Sequence, residues 1–289
     1  MAVNFSAMDH RTSVFQQHRG RLRGIAYRML GSSMDADDML QDAYLRWHHV
    51  DPERIRSPEA WLVTTITRLC IDRLRSAQTE RAAYAGPWLP EPISTDPTEL
   101  ASDLSVALLV VLERLAPEER AAFLLHDVFD MEHGEIASVL GRSEAACRQI
   151  VHRARERVHQ DRPRFQVNEA ARKGLLDRFL TALRAQDHST LLTLFAADAT
   201  WTADGGGKVK AARKVVRGGE LVSRFALGIW RRYLIDKTAR LMSVNGEYSL
   251  VVYDGQRPFC VFTLETDGAC IHAVYAIVNP DKLQHIQPL

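Results

Sequence analysis

Apolar side chains recur at every third or fourth position through the first half of the chain. Val14, Phe15, Leu22, Ile25, Ala26, Met29 and Leu30 form one stripe, closed by Gly31, and predict a helix over 12–30. Met39, Leu40, Ala43 and Trp47 supply the inner face of a second helix over 35–49. Asp35, Asp37 and Asp38 crowd its first turn, where the helix dipole favours acids. Ser57 and Pro58 are an N-cap followed by proline at the first helical position, opening a third helix that runs to about Ser76. The period returns over 132–159. Ile136, Ala137 and Leu140 make a short helix, Gly141 permits a sharp turn, and Ser143 stands where the next helix needs its cap.

In that next helix Cys147, Ile150, Val151, Ala154 and Val158 share one stripe, while Glu144, Arg148, Gln149, His152 and Arg155 share the other, with Arg153 and Arg157 at its edges. Alone, it would be an amphipathic helix with a solvated basic face. The helix–Gly–Ser–helix setting makes it a DNA-reading unit, because Arg, Gln and His side chains reach both phosphates and base edges in a major groove.

After residue 165 the period shortens. Helices are expected at 169–185 and 189–195. Alternating runs follow at 199–204, 238–244, 248–254, 258–265 and 269–278, several separated by Asn-Gly or Asp-Gly, with a helix at 220–233 between them. Helices followed by hairpins predict an α+β domain around a strongly bent antiparallel sheet.

The chain has 289 residues, 46% hydrophobic and 25% charged, and carries a net charge of +1. Residues 1–165 hold 21 arginines against 24 acids, yet residues 142–164 hold seven arginines against three. Positive charge is therefore concentrated on the DNA-reading segment, and the surplus acid elsewhere suggests a protein partner. Cys70, Cys147, Cys260 and Cys270 are scattered without a CxxC pair and are expected to be small core residues, neither disulfides nor metal ligands. No secretory h-region or bilayer-spanning run is visible, so a cytoplasmic protein without membrane contact is expected. No metal and no cofactor is expected; DADD lacks the glycine and terminal glutamate of a calcium loop and is read as an acidic docking surface. The third helix combines Trp61, Thr64, Arg68, Arg73 and Arg75, a set suited to stacking and neutralising single-stranded DNA, although Trp61 could equally anchor the helix bundle.

The runs GSSMDADDMLQDAYLRW, PEAWLVTTITRLCIDRLRS and LERLAPEERAAFLLHDVFDMEHGEIASVLGRSEAACRQIVHRARERV resemble the two domains of bacterial sigma factors of the extracytoplasmic-function type, over about 15–76 and 104–159. The resemblance implies that Asp38, Gln41 and Asp42 dock on the β′ clamp of RNA polymerase core, and that the second domain meets the β flap. It implies that the segment from Asp51 to Arg75 melts and reads the −10 element, and that Ser143, Glu144, Arg148, Gln149, His152 and Arg153 read −35. Arg68 stands where many relatives carry Asn.

Three further blocks resemble the group of these sigma factors that carries a fused SnoaL-like domain of the nuclear-transport-factor-like cone type. They are Trp88-Leu89-Pro90-Glu91-Pro92, Asp204-Gly205-Gly206-Gly207-Lys208 and Asn279-Pro280-Asp281-Lys282-Leu283. By resemblance these are regulatory positions, through which the C-terminal domain contacts the sigma domains in place of a separate anti-sigma factor. The expected organisation is region 2 at 8–78, a linker at 79–100, region 4 at 101–164 and the SnoaL-like domain at 167–289. Composition alone makes the linker a Pro-rich tether, but a tether rarely exposes tryptophan, so Trp88 is expected to dock. GGGK lacks the spacing of a phosphate loop; its glycines are expected to form a tight turn presenting Lys208, Lys210, Arg213 and Lys214.

Promoter-directed initiation controlled by the chain's own C-terminal domain is the function these readings support. An alternative is a helix-turn-helix regulator whose SnoaL-like domain binds a small effector of unknown identity. A third is an isomerase-like enzyme using Asp204, Asp198, His272 or Tyr275. A sheet rich in Tyr, Trp and His reads as core, and no catalytic residue is expected.

Overall fold

The computed structural model describes residues 5–51, 55–95, 105–161 and 167–289. Pro52–Arg54 of the expected −10 segment, residues 96–100 of the expected linker, residues 101–104 of the expected region 4 and the 162–166 junction lie outside them. The chain divides into two compact units, one of residues 1–80 with 111–161, the other of 81–110 with 162–289.

In the first unit α1 (Phe5–Leu30) ends at Gly31, whose φ of 66° lets its N–H reach the Tyr27 carbonyl. α2 (Ser33–His49) starts on Ser32, whose hydroxyl accepts from the Asp35 N–H. α3 (Pro58–Ala82) begins where Ser57-Pro58 predicts but continues six residues past Ser76. Arg23 pairs with Asp37 and donates to Ser33, and Arg73 pairs with Asp35, tying α2 to both neighbours. α4 (Val106–Leu112) lies mostly in the second unit, and the remaining helices of the first are α5 (Pro117–Phe123, prolonged by a π turn at Leu124–Val128), α6 (His133–Leu140) and α7 (Glu144–Asp161). Gly141 is left-handed and the Ser143 hydroxyl caps the Ala146 N–H, as the sequence predicts for a helix-turn-helix. Arg120 is buried, with its guanidinium on the Met29 carbonyl at 2.6 Å and on Glu113 at 2.7 Å. Burial pulls its pKa down to about 9.

The second unit carries α8 (Glu169–Ala185), α9 (His188–Leu194), β1 (Phe195–Asp204), β2 (Val216–Arg217), α10 (Gly219–Ile229, prolonged by a π turn at Trp230–Leu234), β3 (Thr238–Val244), β4 (Glu247–Asp254), β5 (Arg257–Thr266) and β6 (Ile271–Ile277), then a 3₁₀ turn at Pro280–Leu283. The strand order is β2-β1-β6-β5-β4-β3. β1 runs parallel to β6, so the sheet is mixed and the wholly antiparallel expectation is corrected. The reason is connectivity. Hairpins impose antiparallel pairing from β3 to β6, whereas β1 is separated from its partner by α10 and four strands, and nothing local fixes its direction.

The sheet is buried on both faces. Leu250, Val252, Cys260, Phe262, Leu264, Val274 and Ala276 pack toward α8, α9 and α10. Val251, Tyr253, Val261, Ala273, Tyr275 and Ile277 pack against Leu89, Val106, Leu283 and Ile286. Part of the second cover thus comes from Leu89 and Val106, far away in sequence.

Candidate functional site: three motifs on one buried carboxylate

Alternation along β1 turns Trp201 and Ala203 toward the helices, leaving Asp204 on the other side of the strand. Asp204 is fully buried. One carboxylate oxygen accepts from the Tyr84 hydroxyl at 2.6 Å and the Gly206 N–H at 3.0 Å. The other accepts from the Leu89 N–H at 2.8 Å and the Lys282 ammonium at 2.8 Å. Its backbone carbonyl accepts from Val278 and Asn279. WLPEP, DGGGK and NPDKL, more than a hundred residues apart at their extremes, therefore meet on one side chain. Such a site satisfies a buried charge with a counter-charge and several donors, the condition under which burial is tolerated.

Each motif contributes a distinct part. Leu89, Pro90, Glu91 and Pro92 are buried, and Trp88 lies half-buried with Arg81 4.1 Å from its ring centre on one side and Lys282 at 3.9 Å. The Lys282 ammonium also donates to the Leu89 carbonyl, so it holds this strap through that hydrogen bond and the Trp88 ring. Residues 93–95 then run along the edge of β3. Ile93 exchanges hydrogen bonds with Asn245, and Thr95 bonds Ser243 through both backbone and hydroxyl. In DGGGK, Gly206 has φ of 59°, and a Cβ there would fall 2.3 Å from the Asn279 amide. Asn279 donates to Tyr84 and caps the 3₁₀ turn through the Asp281 N–H, while Lys208 pairs with Asp281. Leu283 packs under the strap. Tyr84, Asn245 and Ser243 escape a reading of the sequence. Tyr84 lies in an unremarkable RAAYAG run, and only the fold brings it to Asp204.

Burial outweighs the attraction of Asp204 and pulls Lys282 from 10.5 down to about 8. Between those values the unfolded chain holds a proton that the folded chain has released, so stability rises with pH across the window. Tyr84 moves the other way, its phenol raised first by burial and then by its bond to Asp204, so its contribution falls above pH 10. Melting of the full chain between pH 8 and 10 is expected to show this rise, and Lys282→Met to remove it. Equal slopes in the two proteins would show that Lys282 keeps an ordinary pKa.

The remaining enzyme candidates are dispersed. Asp198 is exposed, His272 is 3.0 Å from Asp267, and Tyr275 donates to Glu265 at 2.8 Å. The Asp267 carboxyl, held to about 2 by the Cys270 N–H and by His272, closes the β5–β6 hairpin. Among the described residues no group of three His, Cys, Asp or Glu side chains is placed to hold a metal ion. All four cysteines are free thiols.

In the first unit Asp38, Gln41 and Asp42 lie exposed on α2, between the exposed apolar side chains Met34 and Leu45. Those five positions form one face at i, i+4, i+7, i+8 and i+11, so two apolar side chains join the polar three that the sequence singles out. On α7 the apolar stripe is buried, and Arg148, Gln149, His152 and Arg153 are exposed together with Ser143 and Glu144. Arg148 pairs with Glu144, Arg155 with Asp127 and Arg157 with Glu119. The −10 candidates are already engaged. Arg68 donates to the Val139 and Ser138 carbonyls at the end of α6, Arg73 pairs with Asp35 and Glu80, and Arg75 with Asp72 and Glu118. Thr64 bonds the Ala60 carbonyl, and Trp61 is half-buried with its ring centre 5.6 Å from that of Trp47.

Two family models match the chain, Sigma-70 region 2 over residues 14–80 and Sigma-70 region 4 over 105–158. The ECF RNA polymerase sigma factor SigJ of Mycobacterium tuberculosis is 39% identical over 290 residues, covering 93% of this chain and 92% of that protein. Its crystal structure superposes with a TM-score of 0.77 at 37% identity, covering 95% of this chain and 98% of that one. The ferric citrate uptake sigma factor FecI of Escherichia coli is 32% identical and is itself 86% covered, yet it spans only 50% of this chain. Residues 159–289 thus follow the two matched regions, and the chain belongs to the ECF RNA polymerase sigma factors.

Proposed function

We propose that the chain directs promoter-specific transcription initiation as an alternative sigma factor and that its own C-terminal unit controls it. The observation that carries the regulatory half is the convergence of WLPEP, DGGGK and NPDKL on Asp204. The strap at 84–95 lies in the chain between regions 2 and 4, so docking or releasing it changes how far those regions can separate.

In this reading the α2 face of Met34, Asp38, Gln41, Asp42 and Leu45 meets the β′ clamp, and region 4 meets the β flap. Trp61, Thr64, Arg68, Arg73 and Arg75 contribute to −10 opening, which requires Arg68 to leave the α6 carbonyls and Arg75 to leave Glu118. Ser143, Glu144, Arg148, Gln149, His152 and Arg153 read −35. Region 2 spans 8–78, region 4 101–164 and the regulatory domain 167–289. The C-terminal unit binds and does not catalyse, because its candidate base Asp204 is committed to Lys282, Tyr84 and two backbone N–H groups. Binding to core polymerase implies a cytoplasmic site of action; no described helix is long and apolar enough to cross a membrane.

The test is run-off transcription with purified core polymerase and the full chain on promoter fragments. A promoter-specific transcript supports the reading. Specific duplex binding by the chain alone, with no transcript, would instead favour an effector-binding regulator. On a responsive promoter, Arg148→Ala and His152→Ala are expected to relax base preference at −35, by about 1–3 kcal/mol of discrimination each. Arg153→Ala is expected to weaken binding evenly across sequences and lower the salt slope by about one.

A further inference from the structure

The helix-facing side of the C-terminal sheet encloses a cavity of about 560 Å³ that the Asp204 site does not use. Its walls are aromatic. Trp201 meets Phe225 and Phe262 edge-on at 5.6 and 5.5 Å, and Phe259 closes a third side. Ala203 and Ala276 leave the space open where larger side chains would fill it. The π turn Trp230–Leu234 contributes Tyr233 and Leu234, and exposed Tyr233 and Val209 mark the way in. π turns of this kind concentrate at functional sites.

The lining specifies its occupant. No carboxylate borders the cavity, and its one cation, Lys210, lies exposed at the rim, so a charged molecule would bury its charge without a partner. The Trp201 indole N–H is buried and has no hydrogen-bond partner among the described residues. A ligand carrying one acceptor would satisfy it. The volume falls within the roughly 300–1,000 Å³ of small-molecule sites. The Cys260 thiol is pushed up by burial and is no nucleophile, so the cavity holds without reacting.

The cavity also touches the clasp. Pro280 and Leu283 line it, while Asn279 and Lys282 of the same four-residue turn hold Tyr84, Leu89 and Asp204. Likewise Ala203 borders the cavity and its neighbour Asp204 is the hub. We propose that this cavity binds a neutral, flat, largely aromatic small molecule with a single hydrogen-bond acceptor on Trp201, and that occupancy biases the Asp204–Lys282 clasp. The coupling clause rests on the regulatory reading above; the binding clause does not. A ligand shifts the clasp only by its differential affinity for the docked and released states.

Prodan, a neutral naphthalene bearing a ketone, is a suitable probe, with 2-dimethylaminonaphthalene as its counterpart lacking the acceptor. Titrated into the full chain, Prodan is expected to bind saturably at one site with blue-shifted emission. Ala276→Phe, which fills the cavity, is expected to abolish that signal. Trp201→Phe keeps the aromatic wall and removes the donor, and is expected to weaken Prodan by about fivefold while leaving the acceptor-free probe unchanged. Unsaturable binding, or saturable binding indifferent to both substitutions in folded protein, would overturn the site. Equal weakening of both probes by Trp201→Phe would overturn the acceptor assignment. For the clasp, acetylation of Lys282 by acetic anhydride, followed by peptide mass spectrometry, is expected to change at least threefold in rate when Prodan saturates. An unchanged rate with Prodan bound would refute the coupling while leaving the site standing.

Discussion

Asp204→Ala is expected to destabilise the C-terminal unit by about 3–5 kcal/mol, because it removes the carboxylate that pairs directly with the buried Lys282 ammonium. For a unit of this size that corresponds to a fall in melting temperature of roughly 10 °C. Tyr84, Leu89 N–H and Gly206 N–H lose their acceptor together, so the loss is local as well as global: the strap at 84–95 should become open to limited proteolysis before the sheet unfolds. Lys282→Met should cost less, since the carboxylate keeps three donors. Asp204→Asn with Lys282→Met should recover much of the loss, because both members of the pair are then uncharged. Calorimetry of the full chain decides the matter. An Asp204→Ala protein that melts with the wild type, its strap still protected, would show that the clasp carries no stability.

Asp38→Ala combined with Asp42→Ala is expected to weaken binding to core polymerase by about 100-fold, with promoter transcription falling in step. Both carboxylates lie exposed on α2, so neither substitution opens a cavity or strands a buried partner, and the protein should melt as the wild type does. Asp35 and Asp37 serve as internal contrasts. They belong to the same acidic run but are tied to Arg73 and Arg23, so replacing them should lower stability more than core affinity. Core affinity measured by fluorescence anisotropy separates the two pairs. Unchanged core binding by the Asp38/Asp42 double variant would remove α2 as the docking element.

The exposed −35 face and the engaged −10 arginines set a functional asymmetry within the first unit. Arg148, Gln149, His152 and Arg153 already face solvent, whereas Arg68 holds the carbonyls at the end of α6. Individually such exposed contacts are weak, and a polymerase interface that separates α3 from α6 needs to outweigh only a few of them.

Periodicity was enough to locate α1 to α3 and α6 to α10, the helix-turn-helix with its Gly141 and Ser143 punctuation, and the hairpins from β3 to β6, but not the short α4 and α5. Each depends on residues within a few positions of one another, where spacing dictates which side chains share a face. The same locality made the buried and exposed sides of α7 readable residue by residue, and placed Asp38, Gln41 and Asp42 on one surface. Trp61 resisted, because whether a ring stacks on Trp47 or faces solvent is settled by a second helix. The parallel pairing of β1 with β6 resisted too, since no turn joins them. By itself, then, the sequence determined most of the elements, their faces and the three motifs. The tertiary structure alone decided that those motifs share one carboxylate, that Tyr84 completes it, and that Leu89 and Val106 pack on a sheet face that would otherwise meet water. Contacts between segments more than a hundred residues apart arise when apolar surface is buried and buried charge must find partners, and no local spacing records which partner that will be.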